Sequence, residues 1–186
     1  MALLFYVVIL FLFVSSYSLN IVALILPRWL KFIVLDPQHY SKTTYGLFQQ
    51  CESSTGECKS FPQENDCKEE RFCELWQIAG AGVILAIFIG ILIIIALSSI
   101  IFIRKDKRVQ GWNLITGMLV LHAIPLIVSF SIVIYLSNIN STNFHLGTSY
   151  DQSFIMSGIS WCSSVILAFF MMAFSSSNNN EYESLL

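Results

Sequence analysis

CESSTGECKSFPQENDCKEERFC, residues 51–73, sets four cysteines within 23 positions among Asn, Asp, Glu, Gln and Ser. It lies inside a polar segment, Pro27 to Leu75, with an apolar run long enough to cross a bilayer on either side. Clustered cysteines between two membrane spans read as a disulfide-stapled domain on the oxidising face, extracellular or lumenal. Free thiols fit that compartment poorly, and no loop histidine stands at ligand spacing for a zinc site. Four cysteines allow three connectivities, and spacing alone leaves the choice open.

Composition points the same way. Of 186 residues, 55% are hydrophobic and only 12% charged, with a mean hydropathy of +0.69, whereas soluble domains carry about 25% charged residues. The chain reads as an integral membrane protein. Its formal charge of -2 is too small to imply an acidic or basic partner. No basic patch is interleaved with aromatics, so nucleic-acid binding is discarded.

A membrane-crossing helix needs about 20 mostly apolar residues. Ala2–Leu26, Trp76–Ile103, Trp112–Leu136 and Ser153–Phe174 meet that requirement without any Asp, Glu, Lys or Arg. The first run is read as a retained helix rather than a cleaved signal, because no basic segment precedes it and Ile21–Leu26 continues it. Arg104, Lys105, Lys107 and Arg108 crowd the short connection between the second and third spans, which places that loop in the cytoplasm. The cysteine loop also holds basic residues but faces them with eight acids: Asp36, Glu52, Glu57, Glu64, Asp66, Glu69, Glu70 and Glu74. Both termini then come out cytoplasmic. The sequon Asn140-Ser141-Thr142 falls on the opposite, extracellular side and marks Asn140 as a glycosylation candidate. The expected organisation is one tetraspan membrane domain, residues 1–174, with an extracellular loop at 27–75, a cytoplasmic loop at 104–111, a second extracellular loop at 137–152 and a cytoplasmic tail at 175–186.

Within the first outer loop, Trp29 follows the first span by three residues, Gly46-Leu47-Phe48 comes later, and Cys51 and Cys58 follow seven positions apart. This pattern resembles the tetraspan superfamily of claudins, peripheral myelin proteins, and calcium-channel gamma and glutamate-receptor auxiliary subunits, whose signature is a Trp, a Gly-Leu-Trp and two cysteines. Phe48 stands where that family usually carries Trp. Leu75-Trp76-Gln77-Ile78-Ala79-Gly80-Ala81 also looks like the start of the family's second helix. The resemblance covers the whole topology but about ten diagnostic positions. It implies an all-α membrane fold: a four-helix transmembrane bundle with a small disulfide-stapled extracellular β-sheet between helices 1 and 2. It implies a Cys51–Cys58 bridge, which leaves Cys67 and Cys73 to form a second.

The residues give local reasons for such a sheet. Thr43, Thr44, Tyr45, Leu47 and Phe48 favour strand. Trp29 and Phe48 are expected to pack between sheet and helix ends, with Gly46 supplying close approach or a positive φ. Inside the spans, Gly82, Ala86 and Gly90 form one small-residue face, and Ser160, Ser164 and Ala168 another. His122, one turn before Pro125, is a polar group at membrane depth, expected to bond a backbone carbonyl that the proline frees.

Catalysis has little to stand on: no span contains a carboxylate, no nucleophile, histidine and acid recur together, and Cys162 sits mid-span among apolar residues. No cofactor or metal is expected. The same lack of intramembrane charge disfavours a pump or transporter. The tail carries three overlapping short patterns in Glu181, Tyr182, Ser184, Leu185 and Leu186: tyrosine-based sorting, acidic dileucine, and a PDZ ligand that would add a strand to a sheet edge. The leading expectation is a non-catalytic, plasma-membrane, claudin-like protein that binds another membrane protein through Gln49, Gln50 and Glu52, as an ion-channel auxiliary subunit or at a cell junction. The alternative is a pore-forming subunit with Glu52 and Glu57 selecting cations. For the topology, a tag after Leu186 should be unreachable from outside intact cells and one in the cysteine loop labelled, and Asn140→Gln should remove any attached glycan. External labelling of the C-terminus would reverse the orientation.

Overall fold

The computed structural model describes residues 2–36, 39–63, 66–67, 71–102, 111–139 and 148–183. Arg104, Lys105, Lys107 and Arg108, the sequon at Asn140, and Ser184, Leu185 and Leu186 lie outside the described residues, as do Glu64, Glu69 and Glu70.

Among the described residues, four helices are long and apolar enough to cross a membrane. They are α1 (Ala2–Ile25), α2 (Phe72–Phe102), α3 (Gly111–Ile139) and α4 (Gln152–Glu183). Each packs on its neighbour in sequence, and α4 returns to α1, so the helices form a closed ring. The small-residue faces serve this ring. A β-carbon at Gly82 would strike the Ser129 hydroxyl and lie 3.0 Å from the Pro125 carbonyl on α3. One at Gly90 would strike the ring of Tyr17 on α1. Small residues here let α2 approach both neighbours closely, the usual device where lipid removes the hydrophobic drive between helices.

Between α1 and α2 run β1 (Leu30–Asp36), β2 (His39–Tyr45), β3 (Gln49–Glu52) and β4 (Cys58–Ser60); β5 (Ser149–Tyr150) precedes α4. They form one antiparallel sheet in the order β4-β3-β2-β1-β5. The expected sheet between helices 1 and 2 is therefore extended by a strand from the second loop. Two residues of β5 pair with Leu30 and Lys31, too short a strand to leave a period-two pattern in the sequence.

Two helices extend past the apolar spans expected of them. Helix α2 starts at Phe72, so Cys73 and Glu74 occupy its first turn rather than the loop, where an acid complements the helix dipole. Helix α4 runs on to Glu183, so most of the expected tail, Tyr182 included, has helical backbone. Once nucleated, a helix propagates at little cost through polar residues.

Two apolar clusters fill the bundle. One, at the sheet end, gathers Trp29, Leu30, Tyr45, Leu47, Phe61, Phe72 and Trp76 above Val83, Leu126 and Val133. The other, at the far end, gathers Tyr6, Phe13, Leu97, Trp112, Leu119 and Met171. There Phe174 stacks against both Phe5 and Trp112, with ring centroids 4.2 and 4.6 Å apart.

Both sheet-end tryptophans spend their indole N–H on backbone. Trp29 donates to Ala23 O at 2.8 Å, near the end of α1 where carbonyls lack helical partners. Trp76 donates to Leu47 O at 3.0 Å and so ties α2 to the β2–β3 turn. Trp76→Phe keeps an aromatic but strands that carbonyl, which should cost about 1–3 kcal/mol. Trp161→Phe should cost less in its polar part, because the indole nitrogen of Trp161 is buried without a partner among the described residues. Thermal unfolding of the two variants checks the order.

Candidate functional site

The β2–β3 turn sits where the chain leaves β2 and passes over the ends of α1 and α2. Gly46 N–H donates to Gln49 O at 2.7 Å and closes the turn. A β-carbon at Gly46 would lie 2.5 Å from Pro27 Cα. Close approach, rather than positive φ, is what demands glycine here. Leu47 is buried next in the turn, while Phe48 points outward and is 45% exposed. Phe48 still reaches α2: a β-carbon on Gly80 would meet its ring at 3.1 Å. The expectation that Trp29 and Phe48 both fill the sheet–helix interface thus holds fully for Trp29 and half for Phe48, because the buried place beneath the turn is taken by Leu47 and Trp76.

Strand alternation then separates the three candidate partner-binding residues. Gln50 and Glu52 share one face of β3 and, with Thr55, Glu57, Lys59 and Gln63, line a polar concavity of about 230 Å³. Gln49 points the other way and borders a groove of about 300 Å³ with Ile25, Pro27 and Phe48. The sequence brought these residues together as neighbours; the pleat divides them between a polar hollow and an apolar groove.

The staples hold this region. Cys51 and Cys58 sit directly opposite each other on β3 and β4 and are bonded. Cys67 and Cys73 form the second bridge, joining the helical turn at 66–67 to the first turn of α2. The turn between β3 and β4 places Gly56 at φ +70°, a conformation natural to glycine. Cys162 remains a thiol in α4.

A second tie was not foreseen. Lys31 Nζ lies 3.7 Å from Asp151, a largely buried acid just before α4. Asp151 N–H donates to Trp29 O and Ser153 N–H to Arg28 O, while Arg28 reaches Gln152. The sequence signal was available in Asp151 as a helix-capping residue type immediately before an apolar run. Deeper in the sheet, burial, and behind it the charge of Asp66, raises the Tyr45 phenol above the ordinary tyrosine range.

His122 bonds differently from expectation. Its Nδ1 stands 3.0 Å from Ser164 Oγ on α4, rather than on a carbonyl freed by Pro125. The carbonyl of Pro125 itself accepts from Ser129 at 2.8 Å. The imidazole points across the helix interface, and a hydroxyl on the facing helix is the nearer partner. Among the described residues no group of three or more His, Cys, Asp or Glu side chains could hold a metal ion.

Compared with known protein families, the chain matches none of their sequence models, and no characterised protein aligns with it significantly.

Replacing Cys51 and Cys58 together by serine should cost about 2.5 kcal/mol by the loop-closure relation. It should reduce delivery to the cell surface more than Cys162→Ser, as surface labelling would report.

Proposed function

We propose that this chain is a non-catalytic, claudin-like tetraspan protein of the plasma membrane that binds another membrane protein through the sheet between its first two helices, either as an ion-channel auxiliary subunit or at a cell contact. The observation that carries this reading is the polar concavity built by Gln50, Glu52, Glu57 and Lys59 on a sheet held twice to the bundle, by the Trp76 indole and by β5. Recognition needs exposed polar groups on a rigid support, because immobilising side chains at the moment of binding costs affinity. The sequence pattern of Trp29, Gly46, Leu47, Cys51 and Cys58 supports the claudin-like character.

In this reading the sheet faces outside, both termini are cytoplasmic, and Asn140 is available for a glycan. The second outer loop, polar and bearing the sequon, suits lateral association with a channel better than close apposition of two membranes. The residues Tyr182, Ser184, Leu185 and Leu186 would offer a sorting adaptor or PDZ domain its ligand.

Purification from native membranes without crosslinking tests the class of partner. Co-isolation with a large channel fits the auxiliary role, a self-assembled polymer fits the junction role, and recovery of neither overturns the proposal. Gln50→Ala combined with Glu52→Ala should lower co-isolation at least about tenfold, the effect of losing 1.4 kcal/mol or more of binding, with thermal stability and surface delivery retained. Undiminished co-isolation would falsify the assignment of these residues.

A further inference from the structure

Helix α4 buries Ser153, Ser157, Ser160 and Ser164 completely. Their spacing of four, three and four residues keeps them on one face. Three hydrogen-bond contacts fix what that face meets. Ser153 Oγ donates to Leu26 O at 3.1 Å, Ser16 Oγ donates to Ser160 O at 3.3 Å, and Ser164 Oγ lies 3.0 Å from His122 Nδ1. The first two ties require α1 and α4 to run antiparallel. Asn20, one turn beyond Ser16, and Ser157, one turn before Ser160, therefore occupy facing turns between them.

The polar atoms in this layer are incompletely paired. Both amide atoms of Asn20, His122 Nε2, Ser157 Oγ and Ser160 Oγ are buried and have no protein partner among the described residues. Asp151 Oδ2, at the sheet end of α4, is in the same state. Ser164 gives its one proton to Ser160 O, so it accepts from His122 and leaves Nε2 as an acceptor. The unpaired set contains the Asn20 amide donors, the acceptors Asn20 Oδ1 and His122 Nε2, and two hydroxyls able to act either way. Small, neutral and equally able to donate and accept, water is the ligand that such a set fits.

The layer also has a closed end. The ring of Phe13 stands edge-on to His122 with centroids 5.4 Å apart, and Leu119, Leu167, Ala168 and Met171 lie in the apolar cluster beyond. From Ser153 to Ser164 is about 16 Å at 1.5 Å per residue, roughly half of a 30 Å hydrocarbon core. We propose that α1, α3 and α4 enclose a binding site for a file of water molecules, admitted at the sheet end beside Asp151 and Ser153, bridged by Asn20, Ser157 and Ser160, and stopped at His122 by Phe13. This site is independent of partner binding by the sheet.

Single cysteines test it in the full chain, in lipid nanodiscs, on a Cys162→Ser background. Silver ion, close to water in size, is the probe, and the reaction is read as protection from a maleimide added after unfolding. Ser157→Cys and Ser160→Cys should react at least about tenfold faster than Ala168→Cys, which lies in the close-packed, dry part of the same helix. Asn20→Leu should lower the melting temperature and Asn20→Ser should lower it less, because a solvated amide loses partners when replaced by an alkyl group. Silver rates at the two serine positions no faster than at Ala168, or an Asn20→Leu protein more heat-stable than the natural chain, would show that the layer is dry and overturn the proposal.

Discussion

The indole N–H of Trp76, near the start of α2, donates to the carbonyl of Leu47 in the β2–β3 turn, 29 residues earlier in the chain. A turn carbonyl covered by aromatic side chains has no access to water, so its hydrogen bond must come from the protein. Once that bond is made, the turn has one place relative to the bundle. Leu47 goes under it, Gly46 must pass within contact of Pro27, and Phe48 is left at the edge against Gly80. The Trp29 indole does the same for the end of α1 by satisfying Ala23 O. Phe61 and Phe72 then complete an aromatic layer around Trp76, at centroid distances of 5.2 and 5.9 Å.

Fixing the turn fixes the strands that leave it. The pairing of β2 with β1 carries Leu30 into the core, and β5 adds itself to the far side of β1. Both loops therefore share one sheet; backbone hydrogen bonds couple the end of α1 to the start of α4, and the Trp76 indole ties in α2. The concavity formed by Gln50, Glu52 and Lys59 borrows its rigidity from this arrangement. The opposite end depends on apolar contact and on the stacked Phe5, Phe174 and Trp112 rings.

Between the two ends lies the layer of Ser16, Asn20, His122, Ser157, Ser160 and Ser164. Small hydroxyl residues let helices approach, as at any tight crossing, but Asn20 and His122 are larger and more polar than that purpose needs. Ser160 and Ser164 read in the sequence only as small packing residues and His122 alone as a polar group, because a lone Asn or Ser in an apolar run is easily absorbed into a membrane helix. What distinguishes Asn20 is that its whole amide is turned inward, and hydropathy is blind to which way a residue faces.

Much of the architecture was legible in residues 51–73 and their flanks. The four apolar runs, the cysteine-rich polar segment between two of them, and the spacing of Trp29, Gly46 and Leu47 ahead of the cysteines are local patterns. Length and composition suffice to recognise them because a membrane-crossing helix must satisfy its own backbone and present apolar side chains to lipid. The sequence by itself therefore determined the number of apolar helices, the sheet-forming loop and the cysteines available for bridging. Tertiary structure decided that β5 joins the sheet, that Gln49 parts from Gln50 and Glu52, and that His122 finds Ser164. Each of these depends on contacts between residues far apart in the chain or on the side to which a strand pleats, and neither is set until the whole ring of helices closes.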